Sequence, residues 1–410
     1  MANDSIVAET ARRIFSDLCD PQAVNRAADD GWMAPAWSAL EEAGLPLAWV
    51  PEALGGGGAD FADGFAVLRE AGRSAVPLPL AETLLAGRML AQAGIASPRG
   101  PMACGPAREG NSIVLGRDGS LSGRLRAVPF AKGAEHLAVL AEREGGGAVV
   151  ALMAACDARI DDGTSLAGDP LNAVRLDGVR PVAVADAPPG LDTGALLLMG
   201  ATARAMQMAG ALEAILDLAV AYANERVAFG RPIGKFQAVQ QSLARLAGEV
   251  AAAIAAAGSA ADAIATSMQG AESATASPPP LWGRDRVGGI ADPARSGVPP
   301  PLTPPHKGEG NPVGASGEGD PGGASFDVGV LLEAASAKIR VGEAAGEGAA
   351  IAHQVLGAIG FTREHVLHRY TRRLWAWRDD FGSESQWAVK LGQLVAARGA
   401  DALWPMLAAR

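Results

Sequence analysis

A helix, a short turn containing glycine and proline, and a second helix follow one another between residues 211 and 254. Residues 211–226 are strong helix formers, and Gly230, Pro232 and Gly234 then interrupt the helical pattern. Beyond the turn, apolar residues recur three or four positions apart and so share one face of a new helix. They are Val239, Leu243, Leu246, Val250 and Ile254. The stretch therefore predicts two helices that meet at a tight corner.

The apolar pattern changes twice along the chain and so predicts three domains. Residues 1–97 show helical patterns with short breaks, residues 98–189 show short β-type runs separated by Gly, Asp and Asn turns, and residues 190–410 are again helical. At 410 residues, 49% of them hydrophobic, the chain is long enough for several domains and a sizeable core. The predicted fold class is mainly α with a β middle domain.

One segment of the last domain breaks every pattern. Residues 270–325 are rich in proline and glycine and show almost no apolar periodicity. Such a segment cannot bury enough apolar surface to order itself, so we expect a disordered insert between two helices. The alternative is a proline-rich segment that binds a partner.

The net charge, the cysteines and the N-terminus indicate which partners and which cellular compartment to expect. The formal net charge is −10 and there is no long basic patch, which argues against nucleic acid as the main partner. Cys19, Cys104 and Cys156 are scattered and lack metal-site spacing, as is usual in a reducing cytosol. The N-terminus does not resemble a signal peptide and no apolar run is long enough to span a bilayer, so we expect a cytoplasmic protein without membrane insertion.

The turn between the two helices also carries a family resemblance. The stretch ERVAFGRPIGKFQAVQQ resembles the run Y-x-x-x-R-x-x-F-G-x-x-I-x-x-F-Q-x-x-Q of the acyl-CoA dehydrogenases. The matching residues are Tyr222, Arg226, Phe229, Gly230, Ile233, Phe236, Gln237 and Gln240. The order GL…VPEALGGGG…VLREAGR near the N-terminus resembles the same family.

This resemblance implies a fold and an activity. The fold is an N-terminal helical domain, a β-barrel or β-sandwich domain and a C-terminal four-helix bundle, assembled as a dimer or tetramer. The activity is the FAD-dependent oxidation of an acyl-CoA thioester to its trans-2-enoyl form. The electrons would pass to an electron-transfer flavoprotein.

The resemblance also assigns cofactor-binding residues. Arg226 would bind the flavin pyrophosphate, since a guanidinium matches phosphate oxygens two at a time. The alternative is that Arg226 only stabilises a helix C-terminus. Phe229 and Gln237 would line a flavin site shared across a subunit interface. A second family run, Q-x-x-G-G-x-G, corresponds to Gln354, Gly357 and Gly360, with Ala358 in place of one glycine.

The catalytic base is the weakest part of the match. Family members remove the α-proton with a glutamate, and Phe381 stands at its usual position. Some members place the glutamate early in the helix that begins near Leu196, but residues 193–212 contain no acid. Asp380 is the nearest substitute base. Its alternative role is a solvated acid that pairs with Arg372, Arg373 or Arg378.

A missing loop and a second resemblance leave another function open. Residues 98–112 contain no match to the middle-domain loop C-x-T-E-P-x-x-G-S, which in the family contacts flavin and substrate. The stretch IGFTREHVLHRY resembles a subgroup that works as paired, unlike subunits, in which one chain can lose the base. The alternative function is therefore a non-catalytic partner subunit that completes the flavin site of a hetero-oligomeric dehydrogenase. A decayed, nonfunctional copy is a third hypothesis.

Overall fold

The computed structural model describes residues 5–27, 30–31, 33–275 and 328–408. Helices form the N-terminal part, and their apolar faces meet in one core. The side-chain oxygens of Ser5 and Asp20 cap the N-termini of the first and the second helix, respectively. The helices are α1 (Ile6–Leu18), α2 (Pro21–Arg26), α3 (Met33–Glu42), α4 (Phe61–Arg73) and α5 (Leu80–Gln92).

A mixed sheet follows. Its strands are β1 (Met102–Gly105), β2 (Ser112–Leu115), β3 (Leu121–Pro129), β4 (His136–Arg143), β5 (Ala148–Ala154), β6 (Arg159–Asp161), β7 (Leu171–Val179) and β8 (Ala183–Asp186). The order is β6-β7-β3-β2-β4-β5-β8, and β1 pairs parallel to β4. Successive residues of β4 and β5 face opposite sides. Val139 and Ala151 lie in the sheet's own core, whereas Leu140 and Val150 face the core shared with the helices.

The chain then returns to helix. The elements are α6 (Thr193–Glu225), the short strands β9 (Val227–Ala228) and β10 (Arg231–Pro232), α7 (Gln237–Thr275), α8 (Val328–Leu356), α9 (Leu367–Asp379), α10 (Glu384–Arg398) and α11 (Ala400–Ala408). Helices α6, α7 and α8 pack against one another and bury a common apolar core. The predicted fold class, mainly α with a β middle region, is confirmed.

The predicted insert begins too early. Helix α7 continues to Thr275, so residues 270–275 are helical and not part of a loop. High helix propensity in this alanine-rich stretch outweighs the glycine at position 270. The rest of the predicted insert, from residue 276 onward, lies outside the described residues.

Two helices meet the length and composition of a membrane span, which corrects the expectation that no apolar run is long enough. They are Thr193–Glu225 and Gln237–Met268, with mean hydropathies of 1.2 and 1.4. In the first, 67% of the most apolar window is buried inside the protein, and in the second 33%. A helix that is apolar on all sides is also typical of a bundle core.

Glycines bring α4 and α6 into direct backbone contact. A Cβ atom on Gly72 would lie 1.9 Å from the carbonyl oxygen of Gln207, and one on Gly210 would lie 2.0 Å from the carbonyl oxygen of Arg69. Neither backbone oxygen can move without shifting its helix. The crossing of α4 over α6 therefore depends on glycine at both positions.

We expect Gly72→Ala to lower the free energy of unfolding by about 1–3 kcal/mol, because the added methyl group forces α4 away from α6. Gly248→Ala is the matched control, since this glycine is helical, exposed and has no atom within 4 Å of an added Cβ. Alanine there should stabilise the protein by roughly 0.5–1 kcal/mol. Denaturant unfolding of both variants measures the two effects. An unchanged stability of Gly72→Ala would show that the crossing does not depend on this glycine.

Candidate functional site

The turn between α6 and α7 forms a short hairpin, which we call the hairpin arm (residues 226–237). Strands β9 and β10 pair antiparallel, with Arg231 opposite Ala228. Phe229 and Gly230 form the tip and have φ angles of 51° and 78°. The N–H of Ile233 donates to the carbonyl of Arg226 at 2.8 Å, which closes the base of the arm. The arm is therefore an ordered element and not a loose connection.

The side chains of the arm are exposed. The side chain of Phe229 is 96% exposed. Its left-handed backbone conformation costs a non-glycine residue roughly 1–2 kcal/mol, and burial of the ring in its own chain does not offset this cost. Arg226 and Gln237 are exposed as well. In the part of the chain that the structure describes, no carboxylate pairs with Arg226. The predicted cofactor residues Arg226, Phe229 and Gln237 thus share one arm, where their own chain does not cover them.

The position of Arg226 is compatible with both roles considered from sequence. Arg226 is the C-cap residue of α6, and its backbone N–H donates to the carbonyl of Tyr222. A cation at this place stabilises the helix dipole. Because the guanidinium is exposed and unpaired among the described residues, it is also free to bind a phosphate.

The second predicted group lies at the end of α8. Gln354 is exposed, and Gly357 has a φ angle of 64° with no atom within 4 Å of an added Cβ. A ligand could therefore approach the backbone at Gly357. Gly360 has a different role, because its added Cβ would lie 3.1 Å from the Cβ of Leu356. Ala358 is exposed, so its methyl group does not pack in the core.

His353 contributes to packing beside this turn. Its ring stacks on Phe361 at 4.5 Å between centroids and faces Trp375 at 6.3 Å. Its Nε2 lies 3.2 Å from the hydroxyl of Thr371. Burial lowers the pKa of His353. Among the described residues, no group of three or more His, Cys, Asp or Glu side chains is placed to hold a metal ion.

Phe381, which stands at the predicted base position, contacts the early part of α6 in the core. Phe381 is buried and has a φ angle of 54°. Its ring packs directly on α6 at Gly200, where an added Cβ would lie 2.1 Å from a ring carbon. Gly200 belongs to the stretch 193–212, which contains no acid. Neither residue can accept a proton, and the aromatic ring fills the space between them.

Asp380, the predicted substitute base, lies in a buried charge cluster with Glu82, Arg204 and Gln207. The Nε of Arg204 donates to Asp380 Oδ2 at 3.0 Å, and another of its nitrogens donates to Gln207 Oε1 at 2.6 Å. The remaining nitrogen pairs with Glu82. The side chains of Arg204 and Glu82 are 2% and 1% exposed. The carboxylate of Asp380 is therefore neutralised by Arg204.

The pKa values in this cluster reflect burial and pairing. Burial raises the pKa of Glu82, and the guanidinium of Arg204 only partly offsets this. Burial alone would lower the pKa of Arg204, but the carboxylates of Glu82 and Asp380 raise it above its usual value. The cluster is thus a buried ion pair network in which both carboxylates bind Arg204. A general base instead needs a carboxylate that exchanges its proton with a substrate.

The pairing of Asp380 differs from the partners considered from sequence. Arg372 donates to the carbonyl of Leu166, Arg373 pairs with Asp169, and Arg378 pairs with Glu384. The alternative of a solvated acid paired with one of them is wrong. The signal that could have identified Arg204 is its place in the apolar helix α6, because an arginine there must find a buried carboxylate.

Lys338 fixes the loop that carries Phe381. Its Nζ donates to the carbonyls of Trp377, Arg378 and Gly382 at 3.1, 2.5 and 2.8 Å. The carbonyls of Trp377 and Arg378 lie at the C-terminal end of α9, where a helix leaves acceptors unsatisfied, and that of Gly382 lies in the connection beyond it. Burial lowers the pKa of Lys338 to about 8, although Asp380 opposes this shift. The ammonium group of Lys338 thus binds the backbone on both sides of Phe381 and helps to keep its ring against α6.

A cavity of about 220 Å³ adjoins Phe381. Its apolar side is formed by Leu197, Phe381 and Trp387, and its polar side includes Arg108 and Lys390. Lys390 forms an ion pair with Glu109 across the polar side. Arg108 and Glu109 belong to the segment that lacks the family's middle-domain loop. The cavity is smaller than most ligand sites, which measure about 300–1,000 Å³, and Asp380 does not line it.

Comparison with known proteins gives the family. The models for the acyl-CoA dehydrogenase N-terminal and C-terminal domains match residues 2–97 and 193–277. Acyl-CoA dehydrogenase IpdE2 of Mycolicibacterium smegmatis is 31% identical over 255 residues, which are 60% of this chain and 73% of that protein. The chain belongs to the acyl-CoA dehydrogenase family. The resemblance of the hairpin arm to this family is confirmed.

Solved structures of the family share the fold over nearly the whole chain. The Tcur3481-Tcur3483 steroid ACAD is 23% identical, with a TM-score of 0.69 over 95% of this chain and 97% of that one. The ChsE4-ChsE5 complex from Mycobacterium tuberculosis is 19% identical, with a TM-score of 0.68 over 95% and 96%. At these identities the likeness concerns the fold. The cofactor roles of Arg226, Phe229, Gln237, Gln354, Gly357 and Gly360 stay predictions.

Replacing Arg204 by methionine should lower the free energy of unfolding by about 3–5 kcal/mol at pH 8, because two buried carboxylates lose their partner. Since burial raises the pKa of Glu82, the native variant binds a proton at a pH where the unfolded chain does not. Its stability should therefore recover as the pH falls from 8 to 5. Guanidinium chloride unfolding at pH 8 and at pH 5 measures this recovery. The control is the double variant Glu82→Gln/Arg204→Met, which leaves one fewer unpaired carboxylate and should lose less stability at pH 8. Equal losses at both pH values would argue against the ion pair network.

Proposed function

We propose that this chain takes part in FAD-dependent acyl-CoA oxidation as the partner subunit of a second dehydrogenase chain. In this role it presents the hairpin arm to the flavin site of the other chain and supplies no catalytic base. The observation that carries the proposal is the buried ring of Phe381, which stands at the usual base position and packs at Gly200 on the early part of α6, where no acid is present.

The chemistry of the reaction explains why this observation favours the partner role over a self-sufficient dehydrogenase. Oxidation of an acyl thioester needs a carboxylate that removes the α-proton while hydride leaves the β-carbon. Phe381 and Gly200 cannot accept the proton, and Asp380 is held by Arg204 at 3.0 Å. The adjoining cavity of about 220 Å³ offers little room for a thioester. These features count against a self-sufficient dehydrogenase with Asp380 as base.

The hairpin arm supports the other half of the proposal. FAD, when bound, supplies the acceptor for the hydride. Arg226 would hold its pyrophosphate, and Phe229 and Gln237 would line its site. All three side chains are exposed on their own chain, so a second chain must complete any site that they form. The chain's own segment 98–112 has no family loop for the flavin ring, so the fit to FAD is confined to the arm and the Gln354–Gly357 turn.

Named relatives are compatible with an assembly of unlike chains. The ChsE4-ChsE5 complex and the Tcur3481-Tcur3483 steroid ACAD each carry the names of two chains, and this chain shares their fold. We extend such pairing to this chain as part of the proposal. The substrate of the assembly would be an acyl-CoA thioester, and its electron acceptor an electron-transfer flavoprotein.

The first test is the visible spectrum of the full chain purified alone and again together with its partner from the cells that produce it. We expect the chain alone to contain little flavin and to show no bleaching with a panel of acyl-CoAs under anaerobic conditions. The complex should contain FAD and bleach. A stoichiometric flavin band that bleaches in the chain alone would establish a self-sufficient enzyme and overturn the proposal.

Arg226→Ala should lower the flavin content of the complex at least about tenfold, because a charge-assisted bidentate contact to phosphate contributes roughly 1.5–3 kcal/mol. The control is Arg245→Ala, which removes an exposed arginine of α7 that pairs with Glu347. Flavin absorbance relative to protein, after gel filtration, measures both. Equal flavin content in the two variants would assign Arg226 to the helix end alone.

A further inference from the structure

The hairpin arm contains a second guanidinium, Arg231, that no family position accounts for. We propose that Arg231 is a positioning residue, which holds the aromatic tip of the arm in one orientation before the arm enters the other chain. The purpose of this orientation rests on the proposed function. The contact itself is a property of this chain.

Arg231 begins a stack of three side chains. Its guanidinium carbon lies 4.3 Å from the centroid of the Phe236 ring. The Phe236 ring meets the Phe229 ring edge to face, with centroids 6.1 Å apart and planes at 83°. Cation–π and edge-to-face contacts are attractive at these distances. The stack therefore links β10, the first residues before α7 and the tip of the arm.

The tip needs such support because its sequence does not favour its conformation. Both central residues of the turn have positive φ angles, a geometry for which Asn-Gly or Asp-Gly is preferred. This chain has Phe229 at the first of these positions, where the left-handed conformation is strained. The ring is 96% exposed, so burial in its own chain does not offset the strain. Strained residues persist where their surroundings over-determine them.

Phe236 is the fixed member of the stack. Its backbone N–H donates to the carbonyl of Ile233 at 3.0 Å, and its carbonyl accepts from the N–H of Gln240 at 3.0 Å. The side chain of Gln240 also donates to the carbonyl of Gly234 at 3.0 Å. These bonds fix the backbone of Phe236 at the start of α7. Because Arg231 and Phe229 both contact the Phe236 ring, their positions are fixed relative to α7 as well.

Arg231 has no competing ion pair among the described residues. Its guanidinium is exposed, so a surface charge alone would leave it mobile. The ring contact gives it a defined place. An aromatic tip that is ordered in advance loses less conformational entropy when it docks.

Hydrogen exchange of the full chain alone tests the positioning contact. In Arg231→Ala we expect the amide of Ile233, which bonds to Arg226, to exchange about three- to fivefold faster, as the loss of one exposed cation–π contact implies. Arg231→Lys should recover part of the protection. Lys235→Ala is the matched control, because it removes a cation from the same arm. Unchanged exchange in Arg231→Ala would overturn the inference.

The flavin content of the complex, measured with the same variants, separates this inference from the proposed function. Faster exchange together with a flavin content lowered about threefold or more would support both. Faster exchange with an unchanged flavin content would show that the tip is positioned but does not serve the flavin site. That outcome would overturn the docking role of Arg231 and count against the proposed function.

Discussion

Arg204 carries a positive charge in the middle of the apolar helix α6, and the elements around it are placed to neutralise that charge. Glu82 reaches it from α5 and Asp380 from the connection between α9 and α10. Because a buried charge without partners costs several kcal/mol, these elements cannot separate independently. Lys338 adds a second buried cation, bound to the carbonyls that end α9. The connection that carries Phe381 is thus bound to the helices on both sides by buried charges.

The core around Arg204 and the hairpin arm differ in the exposure of their polar side chains. In the core, Arg204 pairs with Glu82 and Asp380, and Lys338 binds backbone carbonyls. On the arm, Arg226, Phe229 and Gln237 have no cover from their own chain. A polar or aromatic group that a chain leaves exposed on an ordered element is available to another molecule. Under the proposed function, the exposed arm would serve the other chain, and the core around Phe381 would supply no base.

Much of the fold followed from local patterns, whereas the state of the site depended on distant contacts. The spacing of Val239, Leu243 and Leu246 predicted α7, and short β-type runs separated by Gly, Asp and Asn turns predicted the β region. The hairpin arm was recognisable because its pattern is continuous in sequence. The pairing of Arg204 with Glu82 was not, since 122 residues separate them. Nor could sequence show that Phe381 and Gly200 touch, or that propensity carries α7 on to Thr275.

The contact between Phe381 and Gly200 also constrains how the chain can change over evolutionary time. A glutamate at position 200 would collide with the phenyl ring, because even its Cβ has no space. A glutamate at position 381 would replace the ring and leave a carboxylate beside an unfilled gap in the core. Each first step is therefore unfavourable without the second. The two positions are therefore coupled, and placing a carboxylate at either one would require a compensating change at the other.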